Sequence, residues 1–180
     1  MSEVRERIAQ CCKRLRLRQL TTNLDLVSER DPEEFLLKLL ELEVEQRNRA
    51  RVDRAIRTAG FYTPKQLEDF VYDEVTFPAQ LDSGAVAELE FITHRQNLIL
   101  YGNVGTGKTH LATGLGIQAC KRGYKVSFWR TAALVNHLTR LHEGGELQAF
   151  LKTLEKLDLL ICDEWGYVPV NREGAQLLFQ

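Results

Sequence analysis

Long apolar runs are missing from this chain of 180 residues. No stretch approaches the about 20 consecutive apolar residues that a membrane-spanning helix requires. The first ten residues, MSEVRERIAQ, carry too many charges to form the apolar core of a secretory signal. We therefore expect a cytoplasmic protein with no membrane partner.

Paired cysteine motifs are also missing. None of the four cysteines forms a C-x-x-C pair, so the sequence supports neither a zinc site nor a disulfide framework. We expect all four to be reduced thiols. Cys162 lies inside an apolar run, where a cysteine is more often a small buried hydrophobe than a reactive group.

No charge sign dominates the composition. The 24 Lys and Arg residues nearly balance the 25 Asp and Glu residues, and the formal net charge is −1. Such a balance gives no overall attraction to nucleic acid or to a membrane, so any preference for a charged partner must come from local patches. The sequence also contains no internal repeat and no low-complexity segment.

Residues 1–66 predict a small all-helical N-terminal domain. Asp31 has the position of an N-cap, and Pro32 suits the first turn of a helix that we expect to end at Ala59, before Gly60. An earlier helix is predicted from Val4 to Leu20. Its expected inward residues are Ile8, Cys12 and Leu15.

Basic residues concentrate on these two helices. Clusters of this kind suit a nucleic-acid backbone, because each neutralised phosphate releases counterions. Acidic neighbours dilute the positive field, so a solvated, salt-bridged helix face remains the alternative. The candidate DNA-binding residues are Lys13, Arg14, Arg16, Arg18, Arg47, Arg51 and Arg54.

A glycine-rich loop follows the apolar segment Leu98–Leu100, which we predict to be a buried strand. Residues 102–109 match the P-loop pattern G-x-x-x-x-G-K-[ST] at every fixed position. Loop amides and the N-terminus of the following helix would bind phosphate together. The alternative is a plain glycine-rich turn with an incidental lysine. The predicted nucleotide-binding residues are Gly102, Asn103, Val104, Gly105, Thr106, Gly107, Lys108, Thr109 and His110.

The predicted catalytic residues are Lys108, Asp163 and Glu164. Lys108 would contact the β- and γ-phosphates of ATP, and the hydroxyl of Thr109 would hold Mg²⁺. Asp163 follows a second apolar run, Leu157–Cys162, and ligands gather where parallel strands end. We therefore expect Asp163 to complete the magnesium shell and Glu164 to orient the attacking water.

Residues 67–180 predict an α/β core in which strands and helices alternate, as in a doubly wound parallel sheet. An aromatic-rich connector comes first, in which Phe77 or Leu81 could border an adenine, although plain packing is the favoured interpretation. Thr131 is the expected cap of its helix. Beyond the strands above, the predicted elements are helices at 85–95, 109–121, 132–142 and 147–155 and a strand at 124–129.

The reaction class is not settled by a P-loop alone. Adjacent Asp163 and Glu164 favour water as the phosphoryl acceptor, so hydrolysis of ATP to ADP is the better interpretation. A small-molecule kinase would need an acceptor pocket and an arginine-rich lid, which the short stretch after Glu164 does not offer. A scaffold with a purely structural ATP site is a further alternative.

Three segments, Asn97–Gly102, Gly107–Ala112 and Asp158–Pro169, resemble the IstB-like ATP-binding proteins. Those are transposition helper ATPases of bacterial insertion sequences and are similar to DnaC-type helicase loaders. Leu67–Phe70 and Phe77–Asp82 also resemble the start of that family's ATPase core. The resemblance implies an AAA+ module that binds ATP and Mg²⁺ and forms homo-oligomers through its ATP sites. It further implies duplex DNA and the transposase of the same element as partners in the bacterial cytoplasm, with a helicase loader as the alternative.

The sequence departs from the family's pattern in two places. Cys162 replaces the more usual aliphatic residue before the aspartate. The chain also ends in a helical pattern after Arg172, before the strands that carry the sensor residues and the arginine finger in AAA+ proteins. Arg172 follows the Asp-Glu pair too closely to serve as that finger. We therefore expect a truncated AAA+ module that binds nucleotide but hydrolyses it weakly, and full-rate, DNA-stimulated turnover by residues 1–180 would contradict this expectation.

Overall fold

A computed structural model of the chain describes residues 3–28, 31–73, 75–78, 81–165 and 172–178. The chain forms two compact units, Met1–Asp53 and Arg54–Gln180. The division falls earlier than residue 66, because Ala55, Ile56 and Phe61 pack against the core of the second unit. None of the described helices combines the length and the apolar character needed to cross a membrane.

The first unit is helical, as predicted. It contains α1 (Glu3–Leu15), α2 (Arg18–Asn23) and most of α3 (Pro32–Ala59) around a small apolar core. Both predicted ends of α3 are confirmed. At its start, Oδ1 of Asp31 accepts the amide hydrogens of Glu33 and Glu34 at 2.9 and 3.1 Å.

The first helix is shorter than predicted. It ends at Leu15 instead of Leu20, because Arg16 adopts a left-handed conformation with φ of 57°. The amide of Leu17 then donates to the carbonyl of Cys12 at 2.8 Å, which closes the helix end as a Schellman turn does. Leu15 is exposed, so its predicted inward position is wrong. Such a turn is usually made by glycine. Because Arg16 occupies this position, nothing in the sequence indicates that the helix ends here.

A buried carboxylate joins α2 to α3. Glu43 on α3 accepts the amide hydrogens of Gln19 and Leu20 at 2.7 and 3.2 Å, so it caps α2 from another helix. Arg47 donates to the same carboxylate at 2.8 Å and also to the carbonyl of Arg16. Burial raises the pKa of Glu43, but the bonds from Arg47 and the two amides outweigh burial and hold that pKa below its ordinary value.

The second unit is an α/β module with strands β1 (Val126–Arg130) and β2 (Leu159–Asp163). The strands pair in parallel, with Val126 opposite Leu159 and Arg130 opposite Asp163. The predicted α/β class with a parallel sheet is therefore confirmed. Its helices are α4 (Ser83–Ala87), α5 (Glu90–Thr93), α6 (Lys108–Lys121), α7 (Thr131–Glu143), α8 (Leu147–Leu154) and α9 (Arg172–Leu178).

The predicted strand Leu98–Leu100 is not part of this sheet. Leu98 and Leu100 are half-buried against the core, whereas Ile99 between them is 81% exposed. The segment thus keeps the in-and-out alternation of a strand, but a strand also needs a hydrogen-bonded neighbour. Among the described residues, the sheet consists of β1 and β2 alone.

The predicted helix at residues 85–95 is interrupted. Asp82 caps its start by accepting the amide hydrogen of Ala85 at 2.7 Å, but the helix divides into α4 and α5 at Leu89. Leu89 has a φ of 61° and is fully buried. The interruption turns this leucine into the core, and we attribute the departure from a continuous helix to that burial.

Two glycines bring α6 close to its neighbours. A Cβ atom at Gly116 would lie 2.7 Å from both Ile161 of β2 and Phe61, and one at Gly114 would lie 3.0 Å from the backbone of Leu67. Real Cβ atoms essentially never approach other atoms as closely as 2.7 Å, so a larger residue at Gly116 would push α6 away from β2. The position of α6 beside the end of β2 depends on this small-residue face.

We expect Gly116→Ala to destabilise the second unit. Crowding against Phe61 and Ile161 outweighs the gain in helix propensity, for a net loss of about 1–2 kcal/mol in the free energy of unfolding. Urea denaturation followed by circular dichroism measures this loss. Gly144→Ala is the matched control, because Gly144 has a negative φ and room for a Cβ atom. This variant should have the same free energy of unfolding as the wild type.

We expect Glu43→Gln to destabilise the first unit by about 1–3 kcal/mol, because a neutral amide satisfies Arg47 and the α2 amides less well. A lowered folded-state pKa means that Glu43 stabilises the unit fully above its ordinary pKa of 4.5. That stabilisation is lost as the pH falls through the lower folded value. Denaturation measured between neutral and acidic pH should show the difference between wild type and variant shrinking toward low pH. A difference that grows on acidification would contradict this.

Candidate functional site

The glycine-rich loop leads directly into α6. Gly107 caps α6 with a φ of 82°, and a Cβ atom there would lie 3.0 Å from the ring of Phe70. Both the backbone conformation and the close ring therefore require glycine. Lys108 folds back over the loop, where its Nζ donates to the carbonyls of Gly102 and Asn103 at 2.8 and 2.6 Å. These bonds place an ammonium group at the centre of the loop.

The N-terminus of α6 faces the same loop. The amide of Leu111 makes a helical hydrogen bond to the carbonyl of Gly107 at 2.9 Å. The amides of the residues before Leu111 lie in the first turn of α6. Helix geometry gives such first-turn amides no acceptor within the helix. Lys108, Thr109 and His110 supply these first-turn amides. Together with the Lys108 ammonium and the helix dipole, they form an environment suited to phosphate.

A carboxylate and a hydroxyl from distant parts of the chain meet beside the loop. Thr109 on α6 donates from Oγ1 to the carboxylate of Asp163, whose Oδ2 and Oδ1 lie 2.9 and 3.1 Å away. Asp163 is the last residue of β2. The two residues predicted to hold Mg²⁺ are therefore neighbours, and hydroxyl and carboxylate oxygens are the hard ligands that magnesium prefers.

Hydrogen bonds to the residues that flank β1 fix both ends of β2. Thr131 is 1% exposed and donates from Oγ1 to the carbonyl of Asp163 at 2.8 Å. At the other end, the carboxylate of Asp158 accepts the amide hydrogen of Lys125 at 2.7 Å. Thr131 does not cap α7 as predicted, because its hydroxyl is committed to Asp163. This contact holds the backbone of Asp163 in position.

The second acidic residue, Glu164, has a strained backbone. Its φ of 59° is unusual for a residue with a side chain, and such strain is typical of functional positions. The Glu164 carboxylate lies 3.8 Å from Nε of Arg130, and both side chains are about half exposed. The guanidinium of Arg130 lies 4.3 Å from the centre of the Tyr62 ring. A cation that sequence analysis did not identify thus lies near the carboxylate of Glu164.

A cleft of about 240 Å³ connects these groups. Its side chains combine acids, bases and hydroxyls, which suits a charged, hydrated ligand better than an apolar one. The lining includes Tyr62, Lys65, Thr109, His110, Arg130 and Glu164. The ring of His110 is 2.9 Å from the carbonyl of Gln66 and stacks edge-on against Phe70, so its side chain anchors the connector. Its predicted role in nucleotide binding would therefore rest on its amide.

Other predicted features have different outcomes. Phe77 and Leu81 pack against the core, which agrees with the packing interpretation. Cys162 is half-buried, and burial raises the pKa of its thiol, as it does for Cys12 and Cys120. The stretch at residues 166–171 lies outside the described residues. Within the described part of the chain, no cluster of three or more His, Cys, Asp or Glu residues is arranged to hold a metal ion.

All seven predicted DNA-binding residues are exposed. Lys13, Arg14, Arg16 and Arg18 lie close together in sequence where α1 ends and α2 begins. Arg47 is engaged with Glu43 and with the carbonyl of Arg16, so it stabilises the helical unit. The contact of Arg47 with Arg16 brings α3 beside the junction of α1 and α2. Arg51 lies one helical turn beyond Arg47 on α3. Arg54 belongs to the second unit.

Arg130 and Thr131 are the functional candidates that the sequence analysis missed. Arg130 ends β1 opposite Asp163 in the parallel register. The rule that ligands gather at the carboxyl ends of parallel strands applies to β1 as well as to β2. Extending the predicted strand by one residue, from Trp129 to Arg130, would have identified it. No sequence signal distinguishes a threonine that caps a helix from one that binds a neighbouring strand.

A P-loop whose helix begins beside a carboxylate at the end of a parallel strand defines a P-loop NTPase module. The chain belongs to the family described as IstB-like ATP binding protein, whose model matches residues 11–180. The resemblance inferred from the sequence is therefore confirmed.

Similar proteins come from bacterial insertion sequences. The chain is 32% identical to a Geobacillus stearothermophilus protein named as an ATP-binding protein of IS5376, over 98% of this chain and 73% of that protein. It is 35% identical to the protein so named for IS21 of Pseudomonas aeruginosa, over 82% and 56%. For IS1162 of Pseudomonas fluorescens the identity is 36%, over 82% and 64%. The chain thus spans between about half and three quarters of these relatives.

We expect Thr131→Val to cost about 1–3 kcal/mol, because it leaves the carbonyl of Asp163 without its buried donor. The same change should weaken Mg²⁺-dependent nucleotide binding, since Asp163 would lose its fixed position. Thermal denaturation and titration with a fluorescent ATP analogue measure the two effects. Thr131→Ser keeps the hydroxyl and should retain Mg²⁺-dependent binding. Equal losses of that binding in both variants would show that the methyl group, not the hydrogen bond, is what matters.

Proposed function

We propose that this chain is the ATP-binding module of an insertion-sequence helper protein, which binds ATP with Mg²⁺ and hydrolyses it to ADP and phosphate. The single observation that carries the proposal is the contact of Thr109 with Asp163, because it joins the P-loop helix to the acidic end of β2. A glycine-rich turn without function would not require a carboxylate from 54 residues further along the chain at this point.

The residues present fit a magnesium ion and a triphosphate. Thr109 and Asp163 supply oxygen ligands of the kind that Mg²⁺ prefers. When bound, Mg²⁺ would neutralise charge on the phosphate oxygens. Lys108 and the first-turn amides of α6 would hold the β- and γ-phosphates. Glu164, whose carboxylate lies near Arg130, would position the attacking water and accept its proton.

We expect Lys108→Ala to weaken binding of a fluorescent ATP analogue by about tenfold to a hundredfold, because a charged hydrogen-bond donor to phosphate is lost. Lys125→Ala is the matched control, since Lys125 is exposed and precedes β1, whereas the candidate site lies where β1 and β2 end. Asp163→Asn should abolish the strengthening of binding by Mg²⁺. Mg²⁺-independent binding by the wild-type protein, or equal affinities in the two lysine variants, would refute the proposed site.

The proposal extends to duplex DNA, to the transposase of the same element and to oligomers formed through the ATP sites. The support for DNA is the exposed basic group at the junction of α1 and α2, together with membership in a family whose relatives are named for insertion sequences. ATP would control assembly, and assembly would present many such basic groups to one duplex. Multivalent contacts of this kind strengthen binding without new interactions in each subunit.

We expect the double variant Lys13→Ala with Arg14→Ala to reduce the salt dependence of duplex DNA binding. The slope of log affinity against log salt should fall by about 0.9 for each lost phosphate contact, or about 2 in total. Lys152→Ala, an exposed lysine on α8, is the control and should leave the slope unchanged. Gel shifts with duplex and single strands, with and without ATP, complete the test. A preference for single strands would indicate a helicase loader instead of a transposition helper.

A further inference from the structure

The cleft beside Asp163 is distinct from the glycine-rich loop. None of residues 102–108, all of which the structure describes, lines this cleft. Its walls are the connector, one side of α6 and the ends of β1 and β2. The cleft shares Thr109 and Asp163 with the candidate magnesium site. ADP held by the loop would therefore leave this space open.

A buried hydroxyl without a partner borders the cleft. Thr113 lies one helical turn after Thr109 on α6 and is 3% exposed. Thr109 and Thr131 each donate to Asp163, whereas the Thr113 hydroxyl makes no hydrogen bond to any residue that the structure describes. In the described part of the chain, only the Tyr72 hydroxyl is both unpaired and fully enclosed. The Thr113 hydroxyl thus keeps an open side, and the space that it borders is the cleft.

The lining of the cleft combines hydrogen-bond donors with one free acceptor group. Lys65 and Arg130 contribute an ammonium and a guanidinium group, and Thr113 contributes its hydroxyl. Glu164 contributes a carboxylate, which lies 3.8 Å from Nε of Arg130. The carboxylate of Asp163 is already bonded to Thr109. A ligand that satisfies this lining needs several acceptor oxygens and at least one donor of its own.

We propose that the cleft binds inorganic phosphate, the second product of ATP hydrolysis, an assignment that rests on the proposed function. At neutral pH phosphate keeps at least one P–OH group. Its other oxygens accept hydrogen bonds from Thr113, Lys65 and Arg130, while the P–OH group donates to Glu164. Sulfate has the same shape but carries no proton at neutral pH, so its oxygens would face the carboxylate without a hydrogen bond. Glu164 therefore selects phosphate over sulfate.

The charge of the cleft depends on magnesium. The lysine, the arginine and the two carboxylates of the lining have formal charges that sum to zero. Mg²⁺ held beside Asp163 would add two positive charges and so attract an anion. Phosphate should therefore bind in the presence of Mg²⁺ and bind much more weakly without it.

The test is calorimetric titration of inorganic phosphate into the full chain saturated with ADP and Mg²⁺, at constant ionic strength. ADP occupies the glycine-rich loop, so the titration reports on the cleft. Wild type should bind one phosphate, and sulfate should bind more weakly by about tenfold or more. Sulfate binding as tight as phosphate binding in the wild type would overturn the assignment of phosphate.

Substitutions of Thr113 test its hydroxyl directly. Thr113→Val should weaken phosphate binding by about tenfold or more, because a hydrogen bond to a charged group is lost, and Thr113→Ser should retain binding. The hydroxyl is unpaired in the free protein, so Thr113→Val should remain folded, which thermal denaturation without ligand checks. Lys125→Ala, at the opposite end of β1, is the control and should bind phosphate as the wild type does.

Glu164→Gln gives a second measurement. Because an amide also donates, this variant should bind phosphate and sulfate with similar affinity. Wild-type protein that binds ADP and Mg²⁺ but no phosphate, or equal phosphate affinities in wild type and Thr113→Val, would overturn the inference and leave the proposed function intact. A chain that binds no ADP would refute the proposed function and this inference with it.

Discussion

A hydrogen bond between the hydroxyl of Thr109 and the carboxylate of Asp163 joins the first turn of α6 to the end of β2. Each partner depends on other contacts for its position. Gly116 lets α6 approach β2, and Thr131 holds the backbone of Asp163. The candidate magnesium ligands are therefore placed by packing and by backbone hydrogen bonds, not by the loop alone. This contact joins the glycine-rich loop and the acidic strand end into one candidate site.

The two units stabilise themselves by different means. The second unit has a core that includes Val86, Leu89 and Ala119, and its helices cover a parallel pair of strands. The first unit has a small core and relies on the buried Glu43, which satisfies amides of α2 and is compensated by Arg47. A buried charge stabilises only when all of its partners are present, which makes the helical unit sensitive to single changes.

Basic and apolar surfaces of the first unit suit different partners. The cations at the junction of α1 and α2 are exposed and suit phosphate, whereas α3 exposes the apolar side chains of Leu37, Leu40 and Val44. Arg47 shows that an exposed arginine on a basic stripe need not be available for nucleic acid, because it binds Glu43. Surface charge in sequence is therefore a weaker guide to DNA contact than the hydrogen bonds that each side chain makes.

Several features could be predicted from the sequence alone, because they depend on local chemistry. The cap at Asp31 fixed the start of α3, and the P-loop glycines and the acids after an apolar run predicted which groups would meet. These patterns are visible in the sequence because each depends on one residue and its near neighbours in the chain. Helix breaks at Arg16 and Leu89, the capping of α2 by Glu43 and the Arg130–Glu164 pair depend on contacts between distant segments. No local pattern encodes these contacts, because they arise only when packing brings those segments together.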